Sequence, residues 1–350
     1  MAQTKFLTNN ALTRKRWAKE LFKVVLKDIE FNELIGTGTD NIVQMRTELG
    51  KGEGDTITMG IRLPLSGEGI VGRDTVEGNE EKLIFKDFDM TIEELNHAVD
   101  TGGRMDQQRV PYDLMQEGKD GLNEWWADKL SDLMFAHLCG DTTFRIAGKT
   151  FAQNPTAPDS DHLVLADDVA EGSMTSANIL DLAMLDRMKQ IARIPRAATG
   201  YKLRPLMIGG KKYYRVILHD FVFDALRQNT NVGQWGDLLR AANKLQMENV
   251  EIVYNGMMIS KSERIRQVSG NLSTGGVFRN LFLGAQAACI AWGGAGESKG
   301  TTMSFVPYEK DAKRYVNIRG GGILGIKKVV FNSQDYGCLV GSSYATPLPA

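Results

Sequence analysis

Cysteine is rare in this chain and never paired. The three in 350 residues, Cys139, Cys289 and Cys338, lie far apart, and no Cys-x-x-Cys occurs. So sparse and odd a set excludes a disulfide-stapled scaffold and predicts buried, reduced, apolar side chains in a chain assembled inside a cell. Charge of one sign is lacking too: 42 Lys and Arg face 43 Asp and Glu, a net charge of -1. No global field therefore draws the chain to nucleic acid. Long apolar runs are missing. The stretch NLFLGAQAACIAWGGAG, Asn280 to Gly296, is uncharged but glycine-broken, and shorter than the ~20 residues of a membrane span. It reads as buried strand and turn, and no membrane partner is expected. FKVVLKDIEF, near the start, is interrupted by Lys23 and Lys27 and lacks the apolar run of a signal peptide.

Catalytic spacings are absent as well. His97, His137, His162 and His219 form no His-x-His or His-Glu-x-x-His pair, whereas a metal site needs three or four convergent ligands. Asp220, after His219, is expected to cap the helix DFVFDALRQ. GEGIVG, Gly67 to Gly72, has the spacing of a dinucleotide fingerprint, but a strand follows where a helix must open. GGGILG, Gly320 to Gly325, fails the same way, and GGAGESKGT lacks the Gly-Lys-Ser/Thr ending of a phosphate loop. The pairs Glu80/Glu81 and Glu93/Glu94 are adjacent in strand-like segments, so each pair points to opposite faces. No catalytic, cofactor-binding or metal-binding residue is assigned.

What is present is a series of strongly patterned elements. Residues 14–32 form an amphipathic helix with Trp17, Leu21, Val24 and Val25 on one face. The first 30 residues carry seven Lys or Arg and three Asp or Glu, which suits an arm packed on a neighbour. Residues 55–63 alternate as a half-buried strand. Residues 82–93 form a second strand whose apolar parity changes between Leu83/Phe85 and Phe88/Met90/Ile92, suggesting a bulge or twist. A long helix is expected from Pro111 to about Leu138, with Gly140 beyond its end. Its stripe is Met115, Leu122, Trp126, Leu130 and Leu133, and Gly118 and Gly121 inside it call for either close backbone approach or fraying. Residues 140–175 read as loop. Ser176 is expected to cap a helix ending before Pro195, with Leu180, Met184, Met188 and Ile191 inward. YYRVILHD reads as strand, VEIVYNGMMI as strand and turn, and GGGILGIKKVVF and YGCLVGSSY as closing β segments.

Between the two early strands sits PLSGEGIVGRDTVEGNEE, Pro64 to Glu81, with five acids and one arginine. Hairpin loops are usually two to five residues. Two readings fit so long a tip: a mobile lid on a monomeric enzyme, or a reach toward another chain.

Longer strings carry a resemblance. RLPLSGEGIVG, VEGNEEKLIF, ELNHAVDTGGRMDQQRVPYDLMQEGKDGL, KKYYRVILHDFVFDALRQNTNVGQW, RNLFLGAQAACIAWG and GILGIKKVVFNSQDYG resemble the major capsid family of podophages similar to the coliphage called N-four. The likeness runs from about Leu34 to Tyr344 and implies an α+β, Hong Kong phage-type fold. That fold has an N-terminal arm (1–50), an extended hairpin loop (51–104), a peripheral domain with a spine helix (105–175), an axial domain (176–300) and a C-terminal β segment (301–350). Part of 300–350 would join the peripheral domain. It implies a structural protein, not an enzyme and without cofactors, that forms pentamers and hexamers of an icosahedral head around double-stranded DNA. Its place would be the virion, after assembly in the host cytoplasm. The implied partners are itself, a separate scaffolding protein, portal and decoration proteins, and DNA through weak non-specific contact. The implied inter-subunit contacts are Leu65, Ile70, Val71, Arg73, Val76, Glu77, Glu80 and Glu81, with Trp17 and Leu21 on the arm. No crosslinking chemistry is carried over to Lys82 or Lys86. The competing readings are a cytoplasmic α/β enzyme with a lid at 64–81, and a single-stranded nucleic-acid binder, which lacks the aromatic platforms such proteins use.

Overall fold

A computed structural model describes residues 32–46, 54–62, 65, 69–72, 75–109, 113–196, 201–229, 250–294, 303–312 and 314–348. After the two-residue strand Ile35–Gly36 come β1 (Val43–Arg46), β2 (Thr56–Arg62), β3 (Phe85–Thr91) and β4 (Glu93–Gly103). A short helix α1 (Arg104–Arg109) leads to the long helix α2 (Leu114–Cys139). Then come β5 (Leu163–Leu165), α3 (Leu182–Arg193), β6 (Lys211–Leu218) and α4 (Asp220–Gln228). The chain closes with β7 (Met257–Lys261), β8 (Gly275–Leu283), β9 (Ala288–Trp292), β10 (Met303–Lys310), β11 (Tyr315–Lys328) and β12 (Cys338–Ala345).

Two mixed sheets organise these elements. In one, β1 runs parallel to β9, β9 antiparallel to β11, and β11 antiparallel to both β10 and β4. In the other, β5 is parallel to β12, which continues antiparallel to β8 and then β6, and β6 is parallel to β7. The chain passes between the sheets three times, from β4 to β5, from β8 to β9 and from β11 to β12. One apolar core therefore spans both, including Phe278, Phe282, Trp292 and Phe305.

Helix α2 braces this frame. Leu122, Trp126, Leu130 and Leu133 are buried along it, as their spacing predicts. The Asp113 side chain caps its start by accepting from the Met115 N–H at 2.9 Å, so the helix opens at Leu114 rather than at Pro111, which lies outside the described residues. Gly140 takes a left-handed φ of 67° at the other end. There Arg279 of β8 donates to the Cys139 and Gly140 carbonyls at 3.1 and 2.8 Å and grips Glu171 through two bonds of 2.8 Å. It thus satisfies carbonyls the helix leaves open and ties α2 to the second sheet. Burial works against the Glu171 carboxylate, but hydrogen bonds from Arg279 and Ser342 prevail and hold its pKa below the usual range.

Contact between α2 and the first sheet is close on both sides. A Cβ on Gly118 would lie 3.0 Å from Thr101 Cγ2, and one on Gly320 of β11 would lie 2.9 Å from Trp126 Nε1. The GGGILG run is therefore the middle of a strand lying under a helix, not a phosphate loop. Gly121 has open space beside it.

Four expectations need correction. Asp181, not Ser176, caps α3, because its carboxylate accepts from the Met184 N–H at 2.7 Å. His219, not Asp220, caps α4: Nδ1 accepts from the Phe221 N–H at 3.2 Å. Residues 93–103 form an 11-residue strand that the sequence reading passed over. No bulge interrupts β3, which pairs with β2 in unbroken register from Thr56/Thr91 to Arg62/Phe85. The amphipathic stretch 14–31 lies outside the described residues.

The two helical glycines separate approach from propensity. Gly121→Ala is expected to raise stability by up to ~1 kcal/mol, since Ala is the better helix former. Gly118→Ala is expected to lose that gain by pushing on Thr101. Thermal melts check it: equal upward shifts for both variants would show that Gly118 is not held by close approach.

Candidate functional site

Seven-residue strands β2 and β3 form a ribbon ~23 Å long, at ~3.3 Å per residue. A two-stranded ribbon is marginal in water unless it packs on something. Among the described residues of the ribbon, only Phe88 and Met90 are buried, against Cys289, Ala291, Val329 and Phe331. Ile57, Met59 and Ile61 rest half-buried on the same cluster. Lys327 extends its Nζ over the Phe88 ring, 4.7 Å from the centroid, and donates to the Asp89 carbonyl at 2.6 Å. A Cβ on Gly325 would sit 2.1 Å from the Thr91 carbonyl oxygen, so β11 and the ribbon's base meet without side chains between them.

The seat is itself pinned. Val330–Phe331 pairs with Gln334–Asp335 in a tight hairpin, and buried Lys328 donates to Asp335 at 2.8 Å. Burial raises the Asp335 pKa, against the pull of Lys328. The Asp335 N–H donates to Asp159 at 2.6 Å, and His162 lies 2.9 Å from the same carboxylate. Burial opposes the Asp159 charge as well, but these hydrogen bonds win and leave its pKa lowered.

Beyond the seat no described residue covers the ribbon. Every described residue from Leu65 to Phe85 is exposed. The apolar ones include Val71 at 83% and Val76 at 63%. Local bonds shape the tip: the Asn79 N–H donates to the Val76 carbonyl at 3.1 Å, and the Gly78 N–H to Glu80 Oε2 at 2.9 Å.

Of the contact residues expected from sequence, Leu65, Ile70, Val71, Val76, Glu77, Glu80 and Glu81 lie on this exposed tip. Arg73, Trp17 and Leu21 lie outside the described residues. Glu80 and Glu81 belong to no strand. The sequence reading missed that Leu83, Ile84 and Phe85 continue the exposed apolar set. Its signal was the parity change at Phe85, which marks where the ribbon leaves its seat.

The histidines share no site. His97 stacks on Trp125 with centroids 4.3 Å apart, and His162 meets Asp159. Burial, then the charges of Lys327 and Lys328, push the His137 pKa down to about 3; burial lowers that of His219 to about 4. Both are neutral near pH 7. Cys139, Cys289 and Cys338 are buried thiols that form no disulfide. Among the described residues no three His, Cys, Asp or Glu side chains group as a metal site, and no helix is long and apolar enough to cross a membrane.

Comparison with known proteins gives this frame its class. The capsid of Ralstonia phage GP4 superposes with a TM-score of 0.78 at 24% identity, covering 100% of this chain and 97% of that one. The Cyanophage Pam1 capsid asymmetric unit does so at 0.72 and 16%, covering 99% and 95%. The architecture is the α+β fold of Hong Kong phage-type capsid proteins. A family model described as phage capsid protein matches residues 5–346, and the chain belongs to that family: a structural protein of the virion, not an enzyme. The major capsid protein of Pseudomonas phage KPP25 is 27% identical over 241 residues, which span 63% of this chain and 62% of that relative's length.

Seat and tip are expected to respond differently to substitution. Phe88→Ala removes a buried ring and should cost ~3–5 kcal/mol. Val71→Ser, on the exposed tip, should stay within ~0.5 kcal/mol. Denaturant unfolding of the isolated chain measures both, and a large loss from Val71→Ser would place the tip in the chain's own core.

Proposed function

We propose that the chain is the major shell subunit of a phage head, assembling into pentamers and hexamers through the ribbon at residues 55–93. In this reading α2 is the spine of a peripheral domain, and much of 176–300 forms an axial domain near capsomer centres. Trp17 and Leu21 would pack the N-terminal arm on a neighbour. A separate scaffolding protein, portal and decoration proteins and weakly held DNA complete the partners, with assembly in the host cytoplasm.

One observation carries this reading. The ribbon is firmly seated at its base, yet its far part exposes Leu65, Ile70, Val71, Val76, Leu83, Ile84 and Phe85. So many exposed apolar side chains on an anchored projection suit contact with another chain. Burying one such side chain is worth ~1.5–3 kcal/mol before association costs are met. Repetition of the contact in every subunit makes closure of a shell far more sensitive to it than folding is.

The test replaces Leu65–Glu80 by an Asn-Gly turn, which supports a two-residue hairpin. Circular dichroism should show a folded chain with a cooperative melt, and microscopy should show no closed shells. Normal shells from the shortened chain would make the tip a passive loop.

A further inference from the structure

The second sheet carries a surface feature distinct from the ribbon. At the C-terminal end of α3 lies an open groove of about 570 Å³, lined by Lys189, Arg193, Lys202, Arg204 and Lys212, with Tyr214 in its wall. Five cations converge there in a chain of near-zero net charge. Arg204 is paired with Asp40, and Lys189 donates to the Asn255 side chain at 2.7 Å. Burial and then the charge of Arg193 lower the Lys189 pKa, as expected where cations crowd without enough counter-charge. Arg193, Lys202 and Lys212 are exposed and form no ion pair among the described residues.

The rim is apolar. Ile194, 67% exposed, lines the adjoining depression, which shares Lys189 and Arg193. Met207, 52% exposed, pairs directly across from Lys212 in the small strand Leu206–Ile208. A phosphate backbone has no use for such a rim. The one aromatic among the described lining residues, Tyr214, is only 5% exposed and offers no stacking face for bases.

The groove's chemistry is the converse of the ribbon tip's. The tip sets Glu77, Glu80 and Glu81 beside exposed Val71 and Val76; the groove sets Arg193, Lys202 and Lys212 beside Ile194 and Met207. Neither is covered by the described residues of its own chain. We propose that the groove between α3 and the Leu206–Ile208 strand receives the acidic ribbon tip of a second copy of this chain. This rests on the reading of the ribbon as an inter-subunit element and specifies its seat. Opposite charges would guide and register the docking, and the apolar rim would be sealed against the two valines.

Charge reversal tests it in both directions. One variant carries Arg193→Glu, Lys202→Glu and Lys212→Glu; a second carries Glu77→Lys, Glu80→Lys and Glu81→Lys; a third carries all six. Shell yield from the chain expressed with its scaffold is read by sedimentation and microscopy. Each single set is expected to lower the yield at least ~tenfold, and the combined set to restore most of it. No rescue in the combined set overturns the proposal, as does a groove variant that assembles normally but no longer retains DNA, which would make the groove a nucleic-acid contact. Should a reversed chain fail to melt cooperatively, a disulfide test decides instead. Val76→Cys and Ile194→Cys chains, mixed under oxidising conditions, should give a linked dimer only when both are present, and none forming would sink the idea. The two layers fail differently: if the Asn-Gly chain closes shells, both the ribbon's role and its seat fall. If it cannot close them and the reversals do not compensate, only the seat is wrong.

Discussion

Phe88 and Met90 hold the ribbon to the body, and its usefulness depends on that seat. A ribbon with no packed face would collapse onto the nearest apolar surface or pair with another edge. Here the two side chains sink into a cluster built from β9 and the turn after β11, while Lys327 grips the strand from outside. The anchored part fixes the direction of the part that buries nothing. That direction rests on a deeper layer, since the turn carrying Phe331 is held by the buried pair Lys328–Asp335 and by the Asp159 carboxylate behind it.

The second requirement is a frame stiff enough to pass force between subunits. Helix α2 provides it by meeting the first sheet at two glycines and the second sheet through Arg279. The guanidinium binds the helix's last carbonyls and a buried carboxylate together, so the helix end cannot shift without breaking several charge-assisted bonds. Interiors built this way transmit strain rather than absorb it. Such a frame suits a protein whose work is mechanical and whose histidines and cysteines are individually buried, stacked or used as caps.

Much of this was legible in the sequence because the patterns are local. The alternation of Ile57, Met59 and Ile61, the stripe from Leu122 to Leu133 and the glycine after Cys139 each fix an element through its own period. The caps were harder. Asp181 and His219 compete with Ser176 and Asp220 within a few residues, and the choice depends on where the sheet ends the preceding strand. Strand β4 was missed because its burial comes from one side and from partners in β11 more than 200 residues away. The glycines of β11 were legible as unfit for a phosphate loop, since a strand follows them, but their packing under Trp126 was not. The tip's exposure was legible as a question, since a long acidic loop needs a reason. The basic groove was not, because it assembles from α3, the 202–205 segment and Lys212.

The central claim is that the ribbon is folded at its base and completed at its tip by another chain. Amide hydrogen exchange on the free subunit and on the assembled shell tests this directly. Amides of β2 and β3 around Phe88 and Met90 should be protected in both states, while those from Leu65 to Phe85 should exchange freely in the subunit and slow on assembly. Tip amides already protected in the free subunit, or still unprotected in the closed shell, would contradict it.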